Sequence, residues 1–177
     1  MSKLACGALL AALLFSQVAF AEVLTSGEGG FAINHTVETP ASPEVVYNTM
    51  TGHIDEWWNG AHSWSADASN LYIDPQPGGC FCERLPNGGQ VEHLRIIYLS
   101  PGEEIRFDGA LGPLQQMAVS GRMIWKIVPA EGGGSTVSFT YFVHGYTEGG
   151  FQQLAPAVDG VIGEQLSRLA ARLAPGE

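Results

Sequence analysis

Two cysteines separated by a single residue, Cys80 and Cys82, lie in the stretch GGCFCE at residues 78–83. Such a pair could form a disulfide, bind a metal, act as a redox pair or contribute two small apolar side chains. In a regular strand, residues two apart share a face with Cα atoms about 6.5 to 7 Å apart, at or beyond the limit for a disulfide, so a bridge would need a bulge or strain. We therefore expect two free, partly buried thiols without a catalytic role, and a strained disulfide is the alternative.

The predicted strand VEHLRIIYL carries His93 and Arg95 on one face. If that face points inward, both could orient a carboxylate, phenol or carbonyl group of a ligand, since Arg suits bidentate contacts and His changes charge near neutral pH. If it points outward, both are solvated side chains on the sheet. Glu83, on the neighbouring strand, is the expected partner of Arg95 in either case. Acid/base catalysis by Glu83, His93 or Tyr141 is the corresponding enzymatic hypothesis.

Aromatic residues in the stretch WWNGAHSW could close one end of an internal cavity. They include Trp57, Trp58 and Trp64, with His62 between them. Indole and imidazole groups combine apolar walls with hydrogen-bonding atoms, although such side chains can equally fill a core. Three further candidates for ligand contact lie on predicted strands: Phe81, Trp125 and Tyr141.

A metal site would have to gather the two cysteines with His93 and His62. Structural zinc sites usually use CxxC pairs, so a CxC pair with scattered histidines is a weak signal. The sequence also contains no nucleophile elbow, phosphate loop, dinucleotide fingerprint or metalloprotease motif. We expect neither a metal nor a cofactor.

The N-terminus has the pattern of a secretory signal peptide over residues 1–21. Lys3 precedes an apolar run from Leu4 to Phe15, and Ala19-Phe20-Ala21 is a small-x-small cleavage site. The run is too short to favour a lasting membrane anchor. We therefore predict an exported protein, periplasmic or secreted, without a membrane attachment after cleavage.

Cleavage after Ala21 would remove 21 of the 177 residues and leave 156, enough for one domain with a substantial core. Removing Lys3 would change the formal net charge from −10 to −11. Such an acidic chain does not favour nucleic acid or anionic membrane surfaces as partners, because both reward clustered Lys and Arg. The sequence leaves the oligomeric state open.

The order of predicted elements indicates an α+β fold. Residues 22–30 are predicted as a flexible leader and residues 31–39 as a strand. Ser42, followed by Pro43, then begins a helix with an apolar stripe that includes Val45. Short β-rich runs divided by Gly and Pro turns follow, and they are typical of an antiparallel meander.

The last segment, Phe151 to Leu173, repeats apolar residues at spacings of three and four and predicts a long amphipathic helix with Gln165 on its polar side. We expect a curved antiparallel sheet of about six or seven strands wrapped round this helix. Strand alternation places two apolar sets toward the helix: Val119, Met123, Trp125 and Ile127, and Val137, Phe139, Tyr141 and Val143.

Several stretches resemble the START-like or SRPBCC superfamily of helix-grip proteins: SPEVVYNTM, PGGCFCE, GGQVEHLRIIYLSPGEEIRF, LGPLQ and PAVDGVIGEQLSRLAARL. The resemblance is strongest to its polyketide-cyclase-like members and to homologues of a co-chaperone that activates a heat-shock ATPase. It covers a domain at residues 31–174. It implies an elongated cavity between sheet and helix that holds an apolar molecule, and it brings no universal catalytic motif. An exported protein would not meet a cytosolic chaperone, so the co-chaperone label describes the fold alone.

Three functions follow from these expectations. The first is a non-catalytic protein that binds a small apolar, aromatic or lipid-like ligand in an internal cavity. The second is a cyclase, dehydratase or isomerase, which requires two titratable groups with shifted pKa values to converge in that cavity. The third is a chaperone-like interaction module, which requires a filled interior and an exposed apolar patch.

Overall fold

Eight antiparallel strands form one sheet in the computed structural model, which describes residues 20–175. The strands are β1 (Phe20–Gly27), β2 (Gly30–Thr39), β3 (Leu71–Ile73), β4 (Cys80–Arg84), β5 (Gln90–Ser100), β6 (Glu104–Asp108), β7 (Ala118–Pro129) and β8 (Ser135–Tyr146). Their order is β1-β2-β8-β7-β6-β5-β4-β3. Two short helices, α1 (Pro43–Gly52) and α2 (Ile54–Trp57), follow β2, and the long helix α3 (Leu154–Arg172) follows β8. The curved sheet with its C-terminal helix confirms the predicted α+β helix-grip fold.

The extra strand relative to the prediction is β1, which lies where the sequence analysis expected a flexible leader. It pairs with β2 from Phe20↔Thr36 to Gly27↔Gly30. The glycine-rich stretch at residues 27–30 joins the two strands. Its composition had predicted a flexible segment. The predicted signal peptide spans residues 1–21; residues 1–19 lie outside the described part of the chain, and Phe20 and Ala21 are the first two residues of β1.

The predicted alternation of β8 is confirmed, because Val137, Phe139, Tyr141 and Val143 are all buried. On β7, Met123, Trp125 and Ile127 are buried on the same side of the sheet. Trp125 stacks on Phe139 with ring centroids 4.8 Å apart and meets Phe107 edge-on at 4.7 Å. These aromatic contacts fill the middle of the space between the sheet and the helices.

Helix α1 begins as predicted. The Ser42 hydroxyl accepts a hydrogen bond from the Val45 N–H at 3.4 Å, and Pro43 occupies the first turn. The apolar stripe is narrower than expected, because Val46 and Met50 are fully buried whereas Val45 is 50% exposed.

Helix α3 packs Ile162, Leu166 and Leu169 into the core. It begins at Leu154, three residues later than predicted. Gln165 was predicted on the polar side, but it is fully buried, with Oε1 accepting a hydrogen bond from the Asn59 N–H at 2.7 Å. None of the described helices combines the length and apolar character needed to cross a membrane.

A β-bulge on β5 decides which side chains of that strand face inward. Phe81 on β4 pairs with Leu94, but the next pair is Cys82 with Glu92, so His93 is an extra residue on β5. His93 and Leu94 are consequently both buried, and Arg95 faces outward. The sequence predicted that His93 and Arg95 share one face, either inward or outward, and neither alternative describes this arrangement.

The cysteines form a disulfide, which overturns the expectation of free thiols. Cys80 and Cys82 are bonded with their Cα atoms 5.4 Å apart, closer than in a regular strand. The bridge lies on β4 where the register with β5 shifts. The expectation was wrong because it assumed the Cα spacing of a regular strand. A bulge or strain was named as the condition for a bridge, and the register shift between Phe81 and Cys82 shows that the pairing is irregular here. Phe81, between the two cysteines, is buried in the core.

Thiol titration checks the disulfide. In protein denatured without a reductant, Cys80 and Cys82 should contribute no titratable thiol, and after reduction they should contribute two. The variant Cys82→Ser is the control and should show the Cys80 thiol without reduction. Two thiols from the unreduced parent at these positions would contradict the bridge. Cys6 adds one thiol to every count if residues 1–21 are retained.

Gly121 on β7 should tolerate no larger side chain. A Cβ there would lie 2.7 Å from Cε2 of Tyr141 and 2.8 Å from the Gly109 carbonyl oxygen. We expect Gly121→Ala to lower the free energy of unfolding by about 1 to 3 kcal/mol, measured by denaturant unfolding, because backbone atoms must shift.

Gly160→Ala on α3 is the matched control. A Cβ at Gly160 meets no atom within 4 Å outside its own helix turn. Alanine is the better helix former by about 1 kcal/mol, so this variant should be at least as stable as the parent. Equal stability of the Gly121→Ala variant and the parent would refute the packing argument.

Candidate functional site

A cavity of about 330 Å³ lies between the first half of α3 and the sheet. Two connecting segments complete its walls, the 58–65 segment after α2 and the 111–117 loop between β6 and β7. The helix contributes five apolar side chains: Leu154, Ala157, Val158, Val161 and Ile162. The other walls and the floor are mainly apolar and aromatic: Trp58, Trp64, Phe81, Leu111, Leu114 and Met117, with His62 and His93 as the titratable members.

Polar contacts with α3 fix the 58–65 segment. Asn59 donates through Nδ2 to Glu164 Oε1 at 2.6 Å, and its backbone N–H reaches Gln165. His62 Nε2 lies 3.1 Å from Glu164 Oε2. The Asn59 hydrogen bond holds the pKa of the Glu164 carboxyl below its usual range, with a smaller contribution from His62. The buried Gln165, which the sequence analysis assigned to the solvent side, is therefore one of the contacts that hold this wall of the cavity.

Glu83 on β4 holds the other end of the segment. Its carboxylate is 0% exposed and accepts hydrogen bonds from the backbone N–H groups of Trp64 at 3.0 Å and Ser65 at 2.5 Å. His93 Nε2 completes the set at 2.9 Å. Burial raises the pKa of the Glu83 carboxyl, but the hydrogen bonds from Ser65, Trp64 and His93 outweigh it and hold the pKa below its usual value. Glu83 is therefore an ionised acceptor at neutral pH.

His93 is 3% exposed and contributes to the cavity lining, whereas Glu83 lies behind it. An ionised Glu83 only accepts hydrogen bonds, so Nε2 of His93 carries the proton and donates it to the carboxylate. Burial lowers the pKa of the His93 imidazole, and the neighbouring Glu83 only partly opposes this shift. The imidazole is therefore neutral, and its Nδ1 lone pair is left without a partner among the described residues.

An unpaired Nδ1 is an unusual feature for a buried side chain. Leaving a buried acceptor unsatisfied costs about 1 to 3 kcal/mol, so buried polar atoms normally have a partner. His93 borders an apolar cavity, with its ring 5.0 Å from that of Phe81. His93 therefore brings to the wall of the cavity an imidazole whose acceptor atom has no partner among residues 20–175.

The structure brings together six of the ten predicted site residues. Trp58, His62, Trp64, Phe81 and His93 line the cavity, and Glu83 supports His93. Trp57 and Trp125 instead pack edge-to-face in the core with centroids 5.7 Å apart. Both indoles had been considered as cavity walls, but their rings fill the space that the cavity does not occupy.

Tyr141 was predicted as a polar group inside the cavity, but it lies behind the lining. Its hydroxyl accepts a hydrogen bond from the Leu111 N–H at 2.9 Å and donates to the Gly109 carbonyl at 3.2 Å. Burial raises the pKa of Tyr141 to about 12, so the phenol stays protonated at neutral pH. The hydroxyl thus fixes the start of the 111–117 loop.

Arg95 lies outside the cavity and does not pair with Glu83. Its guanidinium contacts the Glu92 carboxylate at 3.0 Å, and its side chain is 57% exposed. The β5 bulge is the cause, because it separates the faces of His93 and Arg95.

The 111–117 loop was not among the segments predicted from the sequence to form the site. Leu111, Leu114 and Met117 are apolar residues in a short connection, where polar turn residues are more usual. That unusual composition was the available signal. The cavity residues of α3 had been recognised only as an apolar stripe.

Within residues 20–175, no three His, Cys, Asp or Glu side chains lie close enough together to hold a metal ion. The two cysteines of the metal hypothesis are bonded to each other.

Comparisons with known proteins place the fold among solved structures of low sequence identity. CalU16 from Micromonospora echinospora is 14% identical, with a TM-score of 0.55 over 90% of this chain and 86% of that chain. A conserved protein of unknown function from Enterococcus faecalis, EF2215, is 10% identical, with a TM-score of 0.61 over 88% of this chain and 77% of that one. Mll3558 from Rhizobium loti is 19% identical, with a TM-score of 0.57 over 89% and 99%.

No curated protein is significantly similar to the chain in sequence. Residues 31–174, however, match the family described as "polyketide cyclase / dehydrase and lipid transport". This range coincides with the domain that the sequence resemblance predicted. The chain belongs to the polyketide cyclase / dehydrase and lipid transport family.

Proposed function

We propose that the protein binds a small, largely apolar molecule whose polar end donates a hydrogen bond to Nδ1 of His93. The observation that carries this proposal is that His93 lines an apolar cavity and that its Nδ1 has no partner within residues 20–175. A ligand hydroxyl would satisfy the acceptor while its apolar body buries the surrounding surface. The family includes lipid transport, which is consistent with this type of ligand.

The cavity walls define the chemical class of the ligand. About 330 Å³ is near the lower end of ligand pockets, which supports a molecule of one or two rings or a short chain. Trp58, Trp64 and Phe81 offer flat apolar surfaces. Among the described residues, the lining contains no Lys, Arg, Asp or Glu, so the walls favour an uncharged ligand. A phenol or another alcohol on a flat apolar body fits these requirements.

A cavity of this size also distinguishes binding from the interaction-module hypothesis. That hypothesis requires a filled interior, whereas here the helix and the sheet are separated at one end by the 58–65 segment and the 111–117 loop. The enzymatic hypothesis uses the same cavity.

We further propose that the chain is exported and that residues 1–21 are removed. The charged start, the apolar run and the small-x-small site of the sequence support this proposal.

A pair of related probes tests the binding mode. 2-Naphthol should bind roughly five- to tenfold more tightly than 2-methoxynaphthalene in calorimetric titrations, because only the hydroxyl can donate to His93, and such a bond contributes about 1 kcal/mol. The variant His93→Leu should lose this preference while it still binds both probes.

The control for this experiment is His144→Leu, which removes an exposed imidazole on β8. It should keep the parent's preference for 2-naphthol. If neither probe binds the parent, or if His93→Leu keeps the preference, the proposed function is wrong.

Export is tested by expressing the full chain, with a C-terminal tag, in a bacterium and fractionating the cells. We expect the tagged protein in the periplasm with an intact mass that corresponds to loss of residues 1–21. A variant with Leu9→Arg and Leu13→Arg in the apolar run should stay in the cytoplasm. Cytoplasmic parent protein that retains its N-terminus would overturn this part of the proposal.

A further inference from the structure

We propose that Glu83 and His93 give the cavity a catalytic activity, in which Nδ1 of His93 removes a proton from an acidic C–H group of the bound molecule. This inference rests on the proposed function, since the substrate must first occupy the cavity. It differs from binding alone in that the proton moves to the protein and the substrate becomes an anion.

The hydrogen bonds around Glu83 position His93 for this role. Nε2 donates to Glu83 at 2.9 Å, which fixes the tautomer with the lone pair on Nδ1. The carboxylate cannot easily turn away, because the backbone N–H groups of Trp64 and Ser65 hold both of its oxygens. Glu83 is therefore a positioning residue, and His93 is the group that would contact the reacting atom.

The same contacts lower the energy of the charge that the reaction creates. When Nδ1 accepts a proton, the imidazolium lies between the substrate anion and the Glu83 carboxylate. A fixed anion beside the new cation is a preorganised electrostatic stabiliser and needs no reorganisation at the moment of transfer. Before transfer, burial keeps the pKa of His93 below its ordinary value, so the basic form predominates at neutral pH. Among the described residues, Glu83 is the charged group that opposes this shift and raises the pKa of His93.

The lining also indicates the substrate class. Among the described residues, it includes no Lys or Arg that could stabilise a localised oxyanion. The negative charge must then be delocalised within the substrate, as in a conjugated carbonyl compound or an aromatic ring system. Proton removal beside a carbonyl shifts the C–H electron pair into an enolate, and return of the same proton from His93 to another carbon gives an isomer. This sequence consumes no co-reactant.

A second histidine–carboxylate pair, with a buried histidine and a half-buried aspartate, provides a matched control. His35 Nε2 lies 2.7 Å from Asp159 Oδ1. His35 is buried on β2 against Gly163 of α3, and neither member of the pair belongs to the cavity lining. It has similar chemistry to the Glu83–His93 pair but no access to the cavity.

The probe for this activity is 5-nitrobenzisoxazole, a flat uncharged molecule with one acidic C–H. In its elimination reaction, the base takes the proton from C3, and the C–H electron pair becomes part of a nitrile. The N–O bond breaks, and oxygen leaves with its electron pair as a coloured phenolate. We expect the parent protein to accelerate this reaction, His93→Gln to lose the acceleration by about 100-fold or more, and His35→Gln to retain it.

The pH profile separates a positioning role of Glu83 from a merely structural one. The parent's rate should rise as His93 loses its proton and reach a plateau, with a midpoint below about 6.5 because burial lowers the pKa of His93. Glu83 raises that pKa, so Glu83→Gln should move the midpoint to lower pH and reduce the plateau. A variant that was only less stable would lose amplitude without moving the midpoint.

Displacement of 2-naphthol by the probe shows whether the cavity is occupied. If the probe binds and the parent reacts no faster than His93→Gln, the catalytic inference is overturned and the binding function stands. If the probe and 2-naphthol both fail to bind, the proposed function fails as well. Should His93→Gln not fold, saturating 2-naphthol must abolish the parent's activity, and activity that persists would refute the inference.

Discussion

The complete burial of the Glu83 carboxylate constrains everything around it. An ion with 0% exposure is tolerated only where donors replace its hydration, and three donors from two separate parts of the chain meet it here. Two of them belong to the backbone of the 58–65 segment and the third belongs to His93. The hydrogen bonds to this one carboxylate therefore connect β4, β5 and a wall of the cavity. If the Glu83 carboxylate were removed, the 58–65 segment and the His93 imidazole would lose the hydrogen-bond acceptor that they share.

The bulge on β5 makes this convergence possible. In a regular strand, His93 would face opposite to Leu94, and one of them would be directed into solvent. The extra residue lets both side chains face inward, so the strand contributes an apolar side chain to the core and an imidazole to the cavity. The partner strand β4 carries the Cys80–Cys82 disulfide at the same level of the sheet. Irregular geometry on both strands is concentrated where the polar group of the site is held, as is common beside functional sites.

Local patterns in the sequence were sufficient for much of the fold. The alternation of β8, the start of α1 and the apolar stripe of α3 depend on neighbouring residues alone, and they predicted the helix-grip architecture. The inward position of His93 with Arg95 outside could not be predicted, because a bulge depends on pairing between strands. The disulfide was missed for the same reason. Gln165 was misassigned because its partner, the Asn59 N–H, lies 106 residues away in the sequence.

The uneven filling of the space under the helix explains where the cavity lies. Trp125, Phe107 and Phe139 occupy the middle of the curved sheet, and the cavity lies where the 58–65 segment and the 111–117 loop cover the sheet. His93, whose Nδ1 has no partner in the part of the chain that the structure describes, lines the cavity at that end. Whether this atom binds or reacts then depends on the acidity of the group that approaches it. A hydroxyl of ordinary pKa shares its proton with Nδ1 in a hydrogen bond, whereas a sufficiently acidic C–H transfers it, and Glu83 stabilises the imidazolium that results.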